Sequence, residues 1–328
     1  MSDYDYILWQ EEANQVIFKD KTLFTDEWIH PISANWEDYS RDNYDVDMDL
    51  TESSTSRVPL VELNDYNTLV KLVGRLRNHF SQNSIQILFR GQRNHHNFVQ
   101  FPSFLRSYVD SEKLAEYLVD VDWLHFFHVA TRSNLSESIN LLAWEATLQH
   151  YGIKTRYLDV VDNLNKALWF SMNNVRKRSF TDGQYSYLFI YGIHVQHTIA
   201  NGVMDSDNLR LIDLRRANPP LSLRSHVQDS MLFCDKRILS VDFMTKEKLE
   251  KYGNYSKYLF CVVKIPSATI MSWFGNTEFF LYSFDSFFPL SDRLLRELQI
   301  WWREFLDIND RLRPNSMDQF VKTFGFIT

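Results

Sequence analysis

Helical periodicity is clearest between Asn64 and Phe80, where Leu69, Leu72, Val73 and Leu76 fall on one face and Asn64 or Asp65 supplies an N-cap side chain. The period then changes. Ile85, Ile87 and Phe89 alternate with polar residues, the pattern of a half-buried strand ending at Arg90 and Gly91. Further on, Leu141, Leu142, Ala146 and Leu148, with Trp144 and Glu145, predict an amphipathic helix that runs into Gln149 and His150 and stops at Gly152, a left-handed C-cap. A second helix begins at Asp162 or Asn163 and carries Leu164, Ala167, Leu168, Met172 and Val175 at helical spacing. Tyr185–Ile193 and Lys257–Ile265 are β-branched and aromatic runs, the composition of inner strands. Asn218, Pro219 and Pro220 mark an exposed turn. Ser291 caps a closing helix with Leu294, Leu295, Leu298, Trp301, Trp302 and Phe305 on its apolar face. Together these elements predict an α+β fold, a mixed β-sheet core flanked by helices.

The two central helices frame a polar corner. There Thr155, Arg156 and Asp159 stand among the apolar Ile153, Tyr157, Leu158, Val160 and Val161. Polar side chains in such company are part-buried and have to be satisfied or used. Arg156 and Asp159 can pair with each other as a structural ion pair, and Gln149 and His150 can cap the helix carbonyls or act on a substrate. At the earlier strand end, Arg90 offers a planar fork of donors for phosphate or carboxylate, and Gly91 lets backbone approach an anion closely. His95 and His96 are adjacent, point apart, and read as loop histidines without a metal.

Composition bounds the class. A chain of 328 residues, 45% hydrophobic and 15% aromatic, can bury one large core or two smaller ones. The N-terminus lacks a basic and apolar leader, and no apolar run reaches the ~18 residues of a span, so a cytoplasmic protein without membrane contact is expected. Cys234 and Cys261 have neither disulfide-scaffold nor metal spacing and are assigned to packing. Charge is asymmetric: up to Asp65 the chain carries 16 acidic and four basic residues, a balance of −12, so the rest carries +5 within the net −7. Residues 1–59 are accordingly read as an acidic N-terminal arm or small subdomain, and 60–328 as the main α+β domain, with Thr51–Ser56 as linker. The acidic segment Trp36–Glu52 is either a solvated arm or a cover over a basic groove. Arg176, Lys177, Arg178, Arg215 and Arg216 are basic residues able to meet nucleic acid or simply to be solvated.

Several short motifs recur in a familiar order. Phe89-Arg90-Gly91, Pro102-Ser103 with Leu105 and Arg106, Gln149-His150-Tyr151-Gly152, Thr155-Arg156, Leu158-Asp159 and Ala167-Leu168-Trp169-Phe170 resemble the FRG domain family. The likeness continues through Arg224 with Gln228, Lys264-Ile265-Pro266 and Phe288-Pro289-Leu290, and so spans Gln82 to Gln299. The chain departs from the family in Lys154, where proline is usual before the Thr-Arg pair, in Val160 and Val161 for Trp-Thr, and in Ser230 for glycine.

Through a more distant likeness to ADP-ribosyltransferases, the resemblance implies NAD as substrate and a transferase-like sheet. It implies Arg90, His150 and Gln228 as catalytic residues, and Phe89, Arg90, Gly91, Tyr151, Thr155, Arg156 and Asp159 as residues that hold NAD. In this reading Arg90 anchors phosphate or ribose, Tyr151 or Phe89 stacks on the nicotinamide, Gln228 binds a ribose hydroxyl, and His150 is the general base. The acceptor is RNA, DNA or protein, and a toxin or phage-defence effector restrained by an antitoxin or inhibitory protein fits such an activity. A non-catalytic nucleotide- or nucleic-acid-binding module is the other class that accommodates these residues, and a nuclease lacks a visible metal-carboxylate cluster.

Overall fold

The computed structural model describes residues 7–10, 15–18, 60–80, 84–94, 100–109, isolated positions between 114 and 129, 139–174, 179–180, 183–240, 245–275, 283–289 and 291–308. The strands in chain order are β1 (Ile7–Gln10), β2 (Gln15–Phe18), β3 (Leu60–Glu62), β4 (Ile85–Gln92), β5 (Leu158–Val161), β6 (Asn173–Asn174), β7 (Ser179–Phe180), β8 (Tyr185–His194), β9 (His197–Ala200), β10 (Val203–Asp205), β11 (Leu209–Asp213), β12 (Ser230–Asp235) and β13 (Leu259–Pro266). The helices that matter below are α1 (Tyr66–Phe80), α2 (Trp144–His150), α3 (Leu164–Met172), α4 (Leu214–Ala217), α5 (Leu223–Val227), α6 (Lys246–Gly253), α7 (Ser267–Gly275), α8 (Phe284–Phe287) and α9 (Arg293–Ile308). The fold class is α+β, as the sequence predicts. The chain divides into two compact units: the first is Met1–Phe98, Ala167–Ile193 and Ser256–Phe280, the second Val99–Lys166, His194–Tyr255 and Leu281–Thr328.

In the first unit β1 pairs antiparallel with β2, β2 and β13 each pair parallel with β3, β13 pairs antiparallel with β8, and β4 lies beside β8. Two strands of the acidic segment thus extend the sheet that begins at Leu60, whereas Trp36–Glu52 and the expected linker lie outside the described residues. Helix α1 forms where its periodicity places it: Asp65 Oδ2 accepts from Thr68 N at 2.7 Å and from Thr68 Oγ1 at 2.8 Å, and Leu69, Leu72, Val73 and Leu76 are buried. The cap bonds hold the Asp65 carboxyl below its usual range. In β4 the alternation stops at Leu88, and Ile87, Leu88 and Phe89 are all buried. A strand covered on both faces has no polar side to show.

The second unit has a purely antiparallel order, β5-β12-β11-β10-β9. Strands β9 to β12 carry no periodic signal long enough to read locally. The register between β5 and β12 sets Ser230 opposite Val161 and Leu232 opposite Asp159. Because side chains alternate along a strand and oppose their partners across it, Asp159 and Ser230 share one face as diagonal neighbours.

Three local expectations are corrected. Leu141 and Leu142 belong to a short 3-10 turn and are 45% and 37% exposed, while Trp144, Ala146, Thr147 and Leu148 make the buried face of the helix. The residue capping α9 is Asp292, whose Oδ1 accepts from Leu295 N at 3.1 Å, rather than Ser291. Asn218 is buried rather than exposed, and Thr147 Oγ1 donates to its Oδ1 at 2.8 Å. Trp301, Trp302 and Phe305 lie in α9, but their side chains are outside the described residues, as is Val175. Cys234 and Cys261 are free and buried, and burial pushes the Cys261 thiol up to about 12, leaving it inert at neutral pH. No described helix is long and apolar enough to cross a membrane.

Candidate functional site

The end of α2 is built by local rules. Gly152 has φ of 92°, Gly152 N donates to Gln149 O at 3.0 Å and Ile153 N to Leu148 O at 3.3 Å. This is the paired closure of a Schellman motif, which needs a left-handed residue and therefore favours glycine. Its effect is to stop the helix with His150 at the last position and send the chain into β5. The polar corner therefore contains a strand, which only four residues, Leu158–Val161, had to announce.

His150 is the centre of the corner. Its side chain is 7% exposed, Nε2 lies 3.8 Å from Asp159 Oδ1, and the same nitrogen is hydrogen-bonded to Ser230 Oγ. Burial drives its pKa below the ordinary histidine value. Asp159 and the Gln228 side chain oppose that shift, and the neighbouring Arg224 adds to it. The net direction leaves a neutral imidazole near pH 7. Gln228 is buried and donates Nε2 to Phe287 O at 2.7 Å. Asp159 keeps 45% of its side chain exposed. His150, Asp159, Gln228 and Ser230 thus come together from α2, β5 and the turn into β12. Asp159 and Ser230 approach the same ring nitrogen, so they do not form the relay of a Ser-His-Asp triad, which needs the carboxylate on Nδ1.

The remaining polar residues of the corner are framework. Tyr151 is fully buried. Its hydroxyl lies 2.8 Å from Ser222 Oγ and donates to Asp292 Oδ2 at 3.0 Å, and the Arg224 guanidinium lies 5.6 Å from its ring centroid. No ring face is open for the stacking expected of it. Asp292, also fully buried, accepts from Arg224 N at 2.9 Å as well, so one carboxylate ties the starts of α5 and α9 to Tyr151. The Arg224 side chain turns back to donate NH1 to His150 O at 3.3 Å. Thr155 is fully buried with its hydroxyl on Gln149 Oε1.

Arg156 pairs with Glu145 rather than with Asp159. Its NH2 and Nε donate to the two carboxylate oxygens at 2.8 Å and 3.2 Å, and NH1 donates to Ile238 O and Leu239 O at 3.1 Å each. Arg156 holds the Glu145 carboxyl below its usual range although burial alone would raise it. Both expectations for Arg156, a pair with Asp159 and a hold on NAD, give way to this internal pair. The fork of guanidinium donors is used up on a carboxylate and two carbonyls.

In the first unit, Phe89 is fully buried with the Arg77 guanidinium 5.3 Å from its ring. It has no face to offer nicotinamide. Gly91 is glycine for packing: a Cβ there would stand 1.8 Å from Ala167 O and 2.7 Å from Ser171 N on α3. Arg90, between them, is part-buried. Among the described residues there is no group of three or more His, Cys, Asp or Glu side chains able to hold a metal ion. His95, His96 and the Arg176–Arg178 cluster lie outside the described residues. Arg215 is engaged by Asp162 and Asp213 at 2.8 Å each, whereas Arg216 is 73% exposed.

Ser230 is the site residue that motif reasoning noticed only as a departure from glycine. Its proximity to His150 is set by the β5–β12 register, which no local pattern announces. No curated protein and no solved structure matches the chain. The family model of the FRG domain matches residues 85–179, a span that holds the strand-end motif, His150 and Asp159 but stops short of Arg224, Gln228 and Ser230. Residues 85–179 are thus similar to the FRG domain, the family whose motifs the chain resembles.

Proposed function

We propose that the chain is an NAD-dependent ADP-ribosyltransferase that modifies a macromolecular acceptor, RNA, DNA or protein. The observation that carries this reading is the convergence of Asp159 and Ser230 on the His150 ring in one polar corner, with Gln228 two residues before Ser230. Cleavage of the bond between nicotinamide and ribose leaves positive charge on the sugar, and an acceptor oxygen or nitrogen then takes the ribose and loses a proton. The corner holds groups that fit those demands. His150 is neutral near pH 7 and can receive the proton of the acceptor. The half-exposed carboxylate of Asp159 supplies negative charge beside it. Gln228, oriented by its bond to Phe287 O, offers an acceptor to a ribose hydroxyl. Arg90, in the first unit, has a fork of donors that suits a phosphate and is a separate candidate for a hold on NAD.

Another observation favours a non-catalytic module that binds a nucleotide. Gln228 is an amide where a carboxylate would stabilise the sugar more strongly, and its nitrogen is committed to the backbone. Nicotinamide release from NAD by the purified full chain, with added RNA, DNA or protein, separates the two. The transferase reading expects turnover that falls at least about 100-fold in His150→Asn and Arg90→Ala, with the stimulating fraction naming the acceptor. Binding of NAD without any release would move the assignment to the binding module.

A further inference from the structure

The turn from α5 into β12, Gln228-Asp229-Ser230, carries the hydroxyl that is hydrogen-bonded to His150 Nε2. Its middle residue, Asp229, has φ of 50°, in the left-handed region that glycine adopts freely and that Asp and Asn tolerate best among the others. As the residue after the C-cap of α5, it closes that helix. Closing a helix needs only the backbone angle.

The Asp229 carboxylate is nevertheless gripped from several sides. Lys166 Nζ lies 2.6 Å from Oδ2, Asn163 Nδ2 donates to the same oxygen at 3.2 Å, and Arg215 NH1 lies 3.8 Å from Oδ1. Lys166 also donates to Val227 O at 2.7 Å, so a single ammonium spans the last residue of α5 and the turn beyond it. The grip is anchored in a helix. Asn163 Oδ1 accepts from Asn165 N at 3.0 Å and Lys166 N at 3.2 Å, which caps α3 and fixes the first turn that carries Lys166. Lys166 is only 8% exposed. Lysine at a buried position loses strong hydration and side-chain entropy, and neither loss is needed to end a five-residue helix.

We infer that Lys166 and Asp229 are positioning residues for His150: their ion pair locks the turn that brings Ser230 to the imidazole. The functional meaning rests on the transferase reading, in which His150 is the base, whereas the lock is a matter of geometry and is tested without NAD. It also accounts for a non-glycine at a left-handed position, since the carboxylate performs a task that glycine cannot.

The test follows the His150 ring by NMR titration in the full chain, its signal assigned by its loss in His150→Asn. Asp229→Gly keeps the left-handed angle and removes the carboxylate, Asp229→Asn keeps the shape and removes the charge, and Lys166→Met removes the ammonium and keeps the stem. A loosened turn lets water reach the ring, so the midpoint rises toward the ordinary histidine value by about half a unit or more in Asp229→Gly and in Lys166→Met alike. Loss of a through-space field alone moves the two variants in opposite directions, because one removes an anion and the other a cation. Opposite shifts, or midpoints within about 0.2 unit of wild type, overturn the positioning role. Thermal unfolding of the same samples confirms that each is folded, and Asp229→Asn serves if Asp229→Gly is not. Nicotinamide release read in parallel judges the transferase reading separately: a wild type that turns over no NAD removes that reading, while the titration still decides the lock.

Discussion

The strand end at Phe89-Arg90-Gly91 and the corner around His150 look alike as motifs, each a short run in which polar and apolar residues alternate. They differ in what occupies them. In the strand end, Phe89 is core and Gly91 is required by the approach of α3, so two of three residues answer to packing. In the corner, Tyr151, Thr155 and Arg156 answer to the framework as well, but His150 and Asp159 are joined by Gln228 and Ser230 from a distant turn. A motif therefore marks a place where the chain is constrained, and the partner of each side chain decides whether the constraint is structural or chemical. The difference is a matter of burial and saturation: a guanidinium with its donors spent on Glu145 and two carbonyls has nothing left for a ligand.

Breaking the framework of the corner gives the largest effect. Arg156→Met leaves Glu145 as a buried carboxylate without its counter-charge and is expected to cost about 3–5 kcal/mol of stability, measured by urea denaturation. The double variant Glu145→Leu/Arg156→Met recovers most of that loss, because no unpaired charge remains. Recovery of less than about half would reassign Arg156 to something other than this pair.

The strand end comes next. Gly91→Ala drives a methyl group against Ala167 O and is expected to cost about 3 kcal/mol. Arg90→Ala, one residue earlier, is expected to change stability by less than about 1 kcal/mol while removing the nicotinamide release that the proposed function requires. Equal destabilisation by both would make Arg90 part of the packing too, and the comparison would collapse.

The smallest effect is in pH dependence. His150 has a folded pKa below its ordinary value of 6.5, so the unfolded chain binds its proton first as pH falls. The contribution is fully present above about pH 6.5 and is lost as pH drops from there through the folded value. The unfolding temperature of wild type is expected to fall over that window more steeply than that of His150→Asn, by an amount equivalent to roughly 1 kcal/mol. Parallel profiles would mean that the ring is solvated and that the corner is open around it.

Much of this protein is written locally. Asp65 caps α1, the Leu69-Leu72-Val73-Leu76 face is core, Gly152 ends α2 in a left-handed turn, and Asn163 caps α3. Each depends on residues within a turn or two, and the α+β class follows from such elements. The long apolar runs of β8 and β13 were legible for the same reason. Short strands were not: β5 and β9 to β12 have too few residues for a period to emerge, and their identity comes from neighbours across the sheet.

Partner choice was decided only by the tertiary structure. Arg156 had Asp159 three residues away and took Glu145, 11 residues back. Ser230 meets His150 across 80 residues and Asp292 holds Tyr151 across 141. Periodicity reports which face a residue occupies, because neighbours on a helix or strand are fixed by a constant geometry. Which polar group satisfies another depends on where distant segments are brought by sheet register and burial, and a buried group takes the partner that saturates it best.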